Sequence, residues 1–303
     1  MTMLFLVNNF ANYSIFCYNG LGDKMNGVII VNKPQQYTSH DVIQVLRKTL
    51  HTKKVGHCGT LDPDATGVLV VCVNKATKLV PFLTCDDKEY IATLTLGFST
   101  DTYDASGTVV DSKPFTKIAK DIETVLQSYI GTHLQKPPIY SAIKVNGKKL
   151  YEYARNNESV EIPERKIEIY KIDLLHAQGN QIQFKVHCQK GTYIRTLCHD
   201  IAKDLGYPGH MSQLERTKSG SFTIAQSYSL DQIAKGEFSF LSIEEALQGY
   251  PQYIIEKEED IYHGKQIVSD RQEEVVVYNT SGKALAVYGP GPKGYLKNIR
   301  GLW

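Results

Sequence analysis

The chain has 303 residues, 42% hydrophobic and 22% charged, ordinary globular usage that excludes a disordered, collagen-like or coiled-coil protein. No stretch approaches the roughly 18 uninterrupted apolar residues of a spanning helix, because even Val68 to Val73 gives way to Asn74 and Lys75. Thirty-four Lys and Arg against 32 Asp and Glu leave a net charge of +2, so bulk charge selects no class of partner.

Residues 1–24 hold Leu4, Phe5, Phe10 and Phe16 but no Lys or Arg before Lys24, so the positive start of a secretory signal is missing. Met25 is followed at once by a strand-like run, Gly27 to Val31; we expect 1–24 to be a non-native or disordered extension, with translation starting at Met25. Ser39 can cap a helix carrying Val42, Ile43, Val45 and Leu46. Gly67 to Val73 reads as a buried strand, and Lys88 to Leu96 as a strand with Tyr90, Ala92, Leu94 and Leu96 on one face. Thr116 to Ile130 reads as an amphipathic helix, Asn146-Gly147 as a tight turn, and Lys166 to Leu175 with Gln181 to Cys188 as a strand pair. Gly191-Thr192 opens a helix with Ile194, Leu197, Cys198, Ile201 and Leu205 at helical spacing, stopped by Gly206. Strands interleaved with helices predict an α+β domain over 25–250. From Pro251 on, short strands at Val275 to Tyr278 and Ala284 to Tyr288 and the break Gly289-Pro290-Gly291-Pro292 predict a small β-rich domain over 251–303.

Charge is local. Lys33, Arg47, Lys48, Lys53 and Lys54 face only Asp41 within 33–54, and Lys136, Lys144, Lys148, Lys149 and Arg155 face only Glu152 within 136–155; both stretches could grip phosphates. The six cysteines show no C-x-x-C spacing and read as reduced cytosolic thiols. His187-Cys188 and Cys198-His199 do not make a zinc site, since neighbours on a strand point to opposite faces.

The sharpest feature is the loop Gly56 to Gly67, in which glycines and Pro63 surround Asp62 just before a buried strand. Alone, an Asp-Pro pair is a turn residue. Arg195, however, falls near the positive amino end of a helix, which is unfavourable unless an anion compensates. A carboxylate partner is the expected remedy. Tyr90 by itself reads as a core tyrosine.

Three longer motifs shift these odds: Gly-Thr-Leu-Asp-Pro at 59–63, Lys-Gly-Thr-Tyr-Ile-Arg-Thr at 190–196, and Tyr-Ser-Ala-Ile-Lys-Val-Asn-Gly at 140–147. Together with Asn32-Lys33-Pro34, the run Thr100 to Gly107, Leu150 to Arg155, and Arg216-Thr217-Lys218-Ser219-Gly220, the chain resembles the TruB family of bacterial tRNA pseudouridine synthases, which act on uridine 55 of the T arm. The resemblance spans about residues 27–222 and implies a central mixed sheet flanked by helices, followed by a PUA-like domain, where it is weak from 251 on. It makes Asp62 the catalytic aspartate, Arg195 its partner, Tyr90 the aromatic against the target base, His57 the filler of the space left by the flipped nucleotide, and Leu214 a pocket wall. Tyr193, Lys33, Lys144, Lys148 and Lys149 join them as substrate-binding candidates, the last three in an RNA-gripping thumb over about 131–156. Gln36 replaces the family's usual Gly, Glu215 a common Arg, and Tyr207-Pro208-Gly209 varies the run before His210; Asp64 lies outside the catalytic pattern.

Moving uracil from an N-glycosidic to a C–C link needs neither redox chemistry nor hydrolysis, so no cofactor or metal is expected. Arg195 is expected to hold the Asp62 pKa low. The expected partner is the tRNA T-arm stem-loop, bound by a cytoplasmic monomer without guide RNA or membrane. Two other classes compete: a non-catalytic RNA-binding module, which would not need Asp62, and a nucleoside hydrolase, which usually needs a second carboxylate or a metal.

Overall fold

The computed structural model describes residues 26–84, 86–156 and 158–303, so the expectation for 1–24 lies outside the described residues. The first thirteen strands are β1 (Gly27–Lys33), β2 (Val55–Cys58), β3 (Thr66–Val73), β4 (Lys88–Leu96), β5 (Phe98–Thr100), β6 (Val109–Ser112), β7 (Gly131–Gln135), β8 (Lys144–Val145), β9 (Lys148–Lys149), β10 (Arg165–Gln178), β11 (Gln181–Cys188), β12 (Gly209–Ser219) and β13 (Phe222–Thr223). Nine of them build one sheet, in the order β1-β3-β12-β4-β11-β10-β7, with β2 also on β3 and β13 on β12. Its ladders are antiparallel except β3 with β12, where Thr66 and Gly67 lie beside Glu215 and Arg216. This is the expected mixed sheet.

Gly67 makes that contact possible. A Cβ there would lie 2.3 Å from the Arg216 carbonyl oxygen, and its φ is +98°, a region that side-chain-bearing residues rarely enter. The helix Ser39–Thr49 packs Val42, Ile43 and Leu46 on β1 and β3. Its cap is Thr38, one residue ahead of the expected Ser39, closed by a capping box with Asp41. The helix Ile194–Asp204 covers Ala92, Leu94, Phe184 and Val186 of β4 and β11.

The helix expected over 116–130 is confined to Ile122–Gln127, capped by Asp121. Ahead of it the backbone at 116–117 bonds the Tyr207 hydroxyl: both amides donate to it, and it donates to the Lys117 carbonyl. Tertiary bonds thus replace the helical ones.

The remaining strands are β14 (Gln252–Ile255), β15 (Ile267–Val268), β16 (Val275–Asn279), β17 (Ala284–Pro290) and β18 (Tyr295–Gly301), and they form a second sheet ordered β14-β16-β17-β18-β15. Val276, Tyr278, Ala284, Val287 and Leu302 share one core with Val28, Val68, Val70 and Cys72 of the first sheet. The β-rich terminal unit is therefore packed onto the larger one. No described helix is long and apolar enough to cross a membrane.

Candidate active site

Asp62 stands on the loop between β2 and β3, and donors from three different elements hold the backbone around it. From the helix Ser39–Thr49, the buried Ser39 hydroxyl accepts from the Leu61 amide at 2.9 Å and donates to the Leu61 carbonyl at 3.3 Å. From β1, the Lys33 ammonium donates to the carbonyls of Pro63 (2.9 Å), Tyr37 (2.6 Å) and Pro34 (2.9 Å). From β12, Arg216 donates to Val68 O at 2.7 Å, Gly59 O at 3.1 Å and Thr60 O at 3.4 Å. Two of these three groups are buried cations, and each meets carbonyl dipoles in place of a carboxylate.

The guanidinium expected to meet Asp62 does so. Arg195 is the second residue of its helix, its Nε lies 3.0 Å from Asp62 Oδ2, and its Nη2 donates to Oδ1 at 3.4 Å. The Nε–H finds no well-directed acceptor, so the pair is an ion pair with one long hydrogen bond. The firmer contacts of Arg195 go elsewhere, to Tyr140 O at 3.0 Å and to Thr102 O and Asp104 Oδ2 at 3.2 Å each. Asp104 escaped the reading of the sequence as a partner, although it lies inside the family-like run Thr100 to Gly107. Its Oδ1 accepts from the Thr102 and Ser106 hydroxyls and the Ser106 amide, so it is fully engaged. Arg195 is thus fixed by other groups, and Asp62 keeps lone pairs free.

The Arg195 side chain is 7% exposed and that of Asp62 39%, which leaves the carboxylate facing an opening. Arg195 does not hold the Asp62 pKa low, as had been expected: burial raises it above the ordinary aspartate value, with the Arg195 charge as the largest opposing effect.

Tyr90 is 9% exposed and packs with Leu61 and Leu214. It pairs across the ladder with Arg216, and burial raises its pKa against the pull of that cation. His57 follows on β2; burial, then the Arg216 charge, lowers its pKa and keeps the ring neutral at physiological pH. Leu214 joins Asp64 and Thr66 in the wall of a cavity of about 260 Å³ beside the loop. Tyr193 caps the Arg195 helix, its amide and carbonyl both held by the Gln135 side chain at 2.8 and 3.0 Å.

The candidate lysines divide. Lys33, expected to bind substrate, is fully buried and fastens the loop from inside; burial pushes its pKa down to about 8. Lys148 pairs with Glu158 at 2.6 Å and lies over Tyr153, while Lys149 donates to the Tyr151 hydroxyl at 3.1 Å. Lys144 is exposed on the same hairpin, whose turn has positive φ at Asn146 (51°) and Gly147 (81°), the paired signature of a type I′ turn. Among the described residues no group of three or more His, Cys, Asp or Glu is placed to hold a metal ion.

Solved structures share this fold. One chain in "Crystal Structure of a Cbf5-Nop10-Gar1 Complex" superposes with a TM-score of 0.72 at 25% identity over 91% of this chain and 85% of that one. A chain in "Structure of H/ACA RNP bound to a substrate RNA containing 2'-deoxyuridine" gives 0.70 at 24%, over 91% and 85%. By its fold and by the relatives that follow, the chain is a pseudouridine synthase, an isomerase. More narrowly, the chain belongs to the TruB family: "TruB family pseudouridylate synthase (N terminal domain)" matches residues 47–194 and "tRNA pseudouridylate synthase B C-terminal domain" matches 195–248. A tRNA pseudouridine synthase B of Bacillus cereus is 44% identical over 299 residues, 92% of this chain and 97% of that protein. One of Oceanobacillus iheyensis is 44% identical over 284 residues, 88% and 94% respectively.

Proposed function

We propose that this chain converts uridine 55 in the T arm of tRNA to pseudouridine, with Asp62 as the catalytic carboxylate. The bond from N1 of uracil to C1′ of the ribose breaks, the base turns within the site, and C5 bonds to C1′; C5 loses its proton to solvent and N1 gains one. No atoms or electrons are lost overall. The observation that carries this reading is Asp62 itself: half-open, beside Arg195 at 3.0 Å, on a loop held from three sides.

Reaching a stacked uridine requires flipping it out, at about a few kcal/mol. Tyr90 offers an aromatic face, Leu214 a wall, and the neutral His57 a filler for the vacated space. Tyr193, Lys144, Lys148 and Lys149 lie along the path of the RNA, the lysines in a thumb over about 131–156. In the division we propose, 25–250 carries the chemistry and 251–303 is a PUA-like RNA-binding domain. The protein works as a cytoplasmic monomer on tRNA directly, without guide RNA; the curated relatives cited above are named for tRNA.

The test uses tRNA transcript labelled with tritium at C5 of uridine, followed by carbodiimide mapping. We expect tritium release, a new adduct at position 55, and loss of both with Asp62→Asn. Free uracil among the products would instead mark a hydrolase, and an active Asp62→Asn would remove the aspartate from its role.

A further inference from the structure

The groups that hold Arg195 are themselves held. The Arg195 Nη1 donates to the Thr102 carbonyl and to the Asp104 carboxylate at 3.2 Å each, and the residue between those two acceptors is Tyr103. Its φ is +62°, a left-handed conformation that strains a bulky residue and persists only where the surroundings enforce it. That turn aims the carbonyl before Tyr103 and the carboxylate after it at one nitrogen. The Tyr103 amide donates to the Thr100 carbonyl at 3.2 Å, and its carbonyl accepts from the Met211 amide of β12 at 2.9 Å. The sheet therefore anchors the loop by its backbone.

The Tyr103 ring anchors it on the other side. It stacks on His199, with ring centroids 4.2 Å apart and planes 20° from parallel. His199 lies four residues after Arg195 in the helix Ile194–Asp204, so both project from one face of it. The buried Nδ1 of His199 has no hydrogen-bond partner among the described residues; the face of the imidazole, and not that nitrogen, fixes the ring. One helix thus meets the loop twice, through the Arg195 cation and, a turn later, through an aromatic face.

We propose that Tyr103 and His199 are positioning residues for the reaction: their stack clamps the loop 100–107 to the Arg195 helix and so keeps Thr102 and Asp104 on the guanidinium. Without the clamp, Arg195 loses two acceptors, and the carboxylate left beside it is Asp62. The cation then closes on Asp62 and occupies lone pairs that the mechanism needs free. Neither ring has to touch the RNA for this. The proposal rests on the reading of Asp62 as the catalytic carboxylate.

The test removes each ring without unsettling its element. Tyr103→Gly suits the left-handed backbone, and His199→Ala installs a better helix former. Both should melt within about 2 °C of wild type. In tritium release from tRNA transcript we expect each to lower kcat about tenfold, the scale of a small misplacement at a reacting centre, with KM within about twofold. Tyr103→Phe and His199→Phe preserve the stack and should keep kcat within about twofold of wild type. Because the two rings make one contact, Tyr103→Gly/His199→Ala should be no slower than either single variant. Wild-type kcat in Tyr103→Gly, losses that multiply in the double variant, or a Tyr103→Phe as slow as Tyr103→Gly would overturn the proposal. A raised KM at normal kcat would do the same, by making the rings RNA contacts. Asp62→Asn is measured alongside: if it is active, the reading of Asp62 fails and the proposal with it, whereas an inactive Asp62→Asn beside a fully active Tyr103→Gly removes the clamp alone.

Discussion

Asp62 is pulled two ways, by burial that favours the acid and by Arg195 that favours the carboxylate, and burial prevails. The sign has two consequences. A folded-state pKa above the unfolded one means that protonated Asp62 favours the native state, a contribution fully present below the unfolded pKa and lost as pH rises through the folded value. At neutral pH the charged group is therefore a net cost. Asp62→Asn, inactive in tritium release, should melt no lower than wild type at pH 7.5, with Asp104 still compensating Arg195; a drop of several degrees would contradict this. The rate of the wild-type enzyme should decline on the acid side around a midpoint above that of an ordinary aspartate, as a pH profile of single-turnover rates would reveal. Gln36 offers a second test at this scale. Its φ is +65°, which accounts for the glycine usual in the family at this position. Gln36→Gly should stabilise by about 0.5–1 kcal/mol, or roughly 2 °C by calorimetry, with unchanged kinetics. The principal charged pair was readable because a cation at a helix amino end demands an anion. Asp104 and the inward role of Lys33 were not, because nothing in the chain near either residue shows what it will face after folding.

The same limit appears in the elements. β4 and β11 alternate cleanly and were legible. β12, at the centre of the sheet, was missed because its inward positions include Arg216, and because bulges between Met211 and Gln213 and between Arg216 and Lys218 break the two-residue period. The overlong helix over 116–130 was a matter of spacing without hydrogen-bond accounting, since the Tyr207 hydroxyl claims the backbone at 116–117. The loop carrying Asp62 depends on these elements. Lys33→Met keeps the bulk but leaves the carbonyls of Pro34, Tyr37 and Pro63 without that donor. We expect it to cost about 1–3 kcal/mol in chemical denaturation and to lower kcat with little change in KM. A raised KM at normal kcat would instead support direct substrate binding by Lys33.

At the scale of the whole chain, the two sheets share a core, with Val276, Tyr278 and Val287 against Val28, Val68 and Val70. The β-rich character of the last fifty residues could be read from their turns and short strands, but this packing could not, since neither sheet's apolar face names its partner. Removing 251–303 should therefore lower the melting temperature by about 10 °C or leave the remainder insoluble, beyond any loss of RNA affinity. A truncated chain that melts like the intact one would show the units to be independent. The triple fastening of the Asp62 loop bears on energetics in one further way. Because the carboxylate we propose as catalytic is already in position when RNA arrives, docking has no need to organise the loop that carries it. The favourable free energy of contact along the stem then remains available for the uphill step of unstacking a paired or folded nucleotide and drawing it inward.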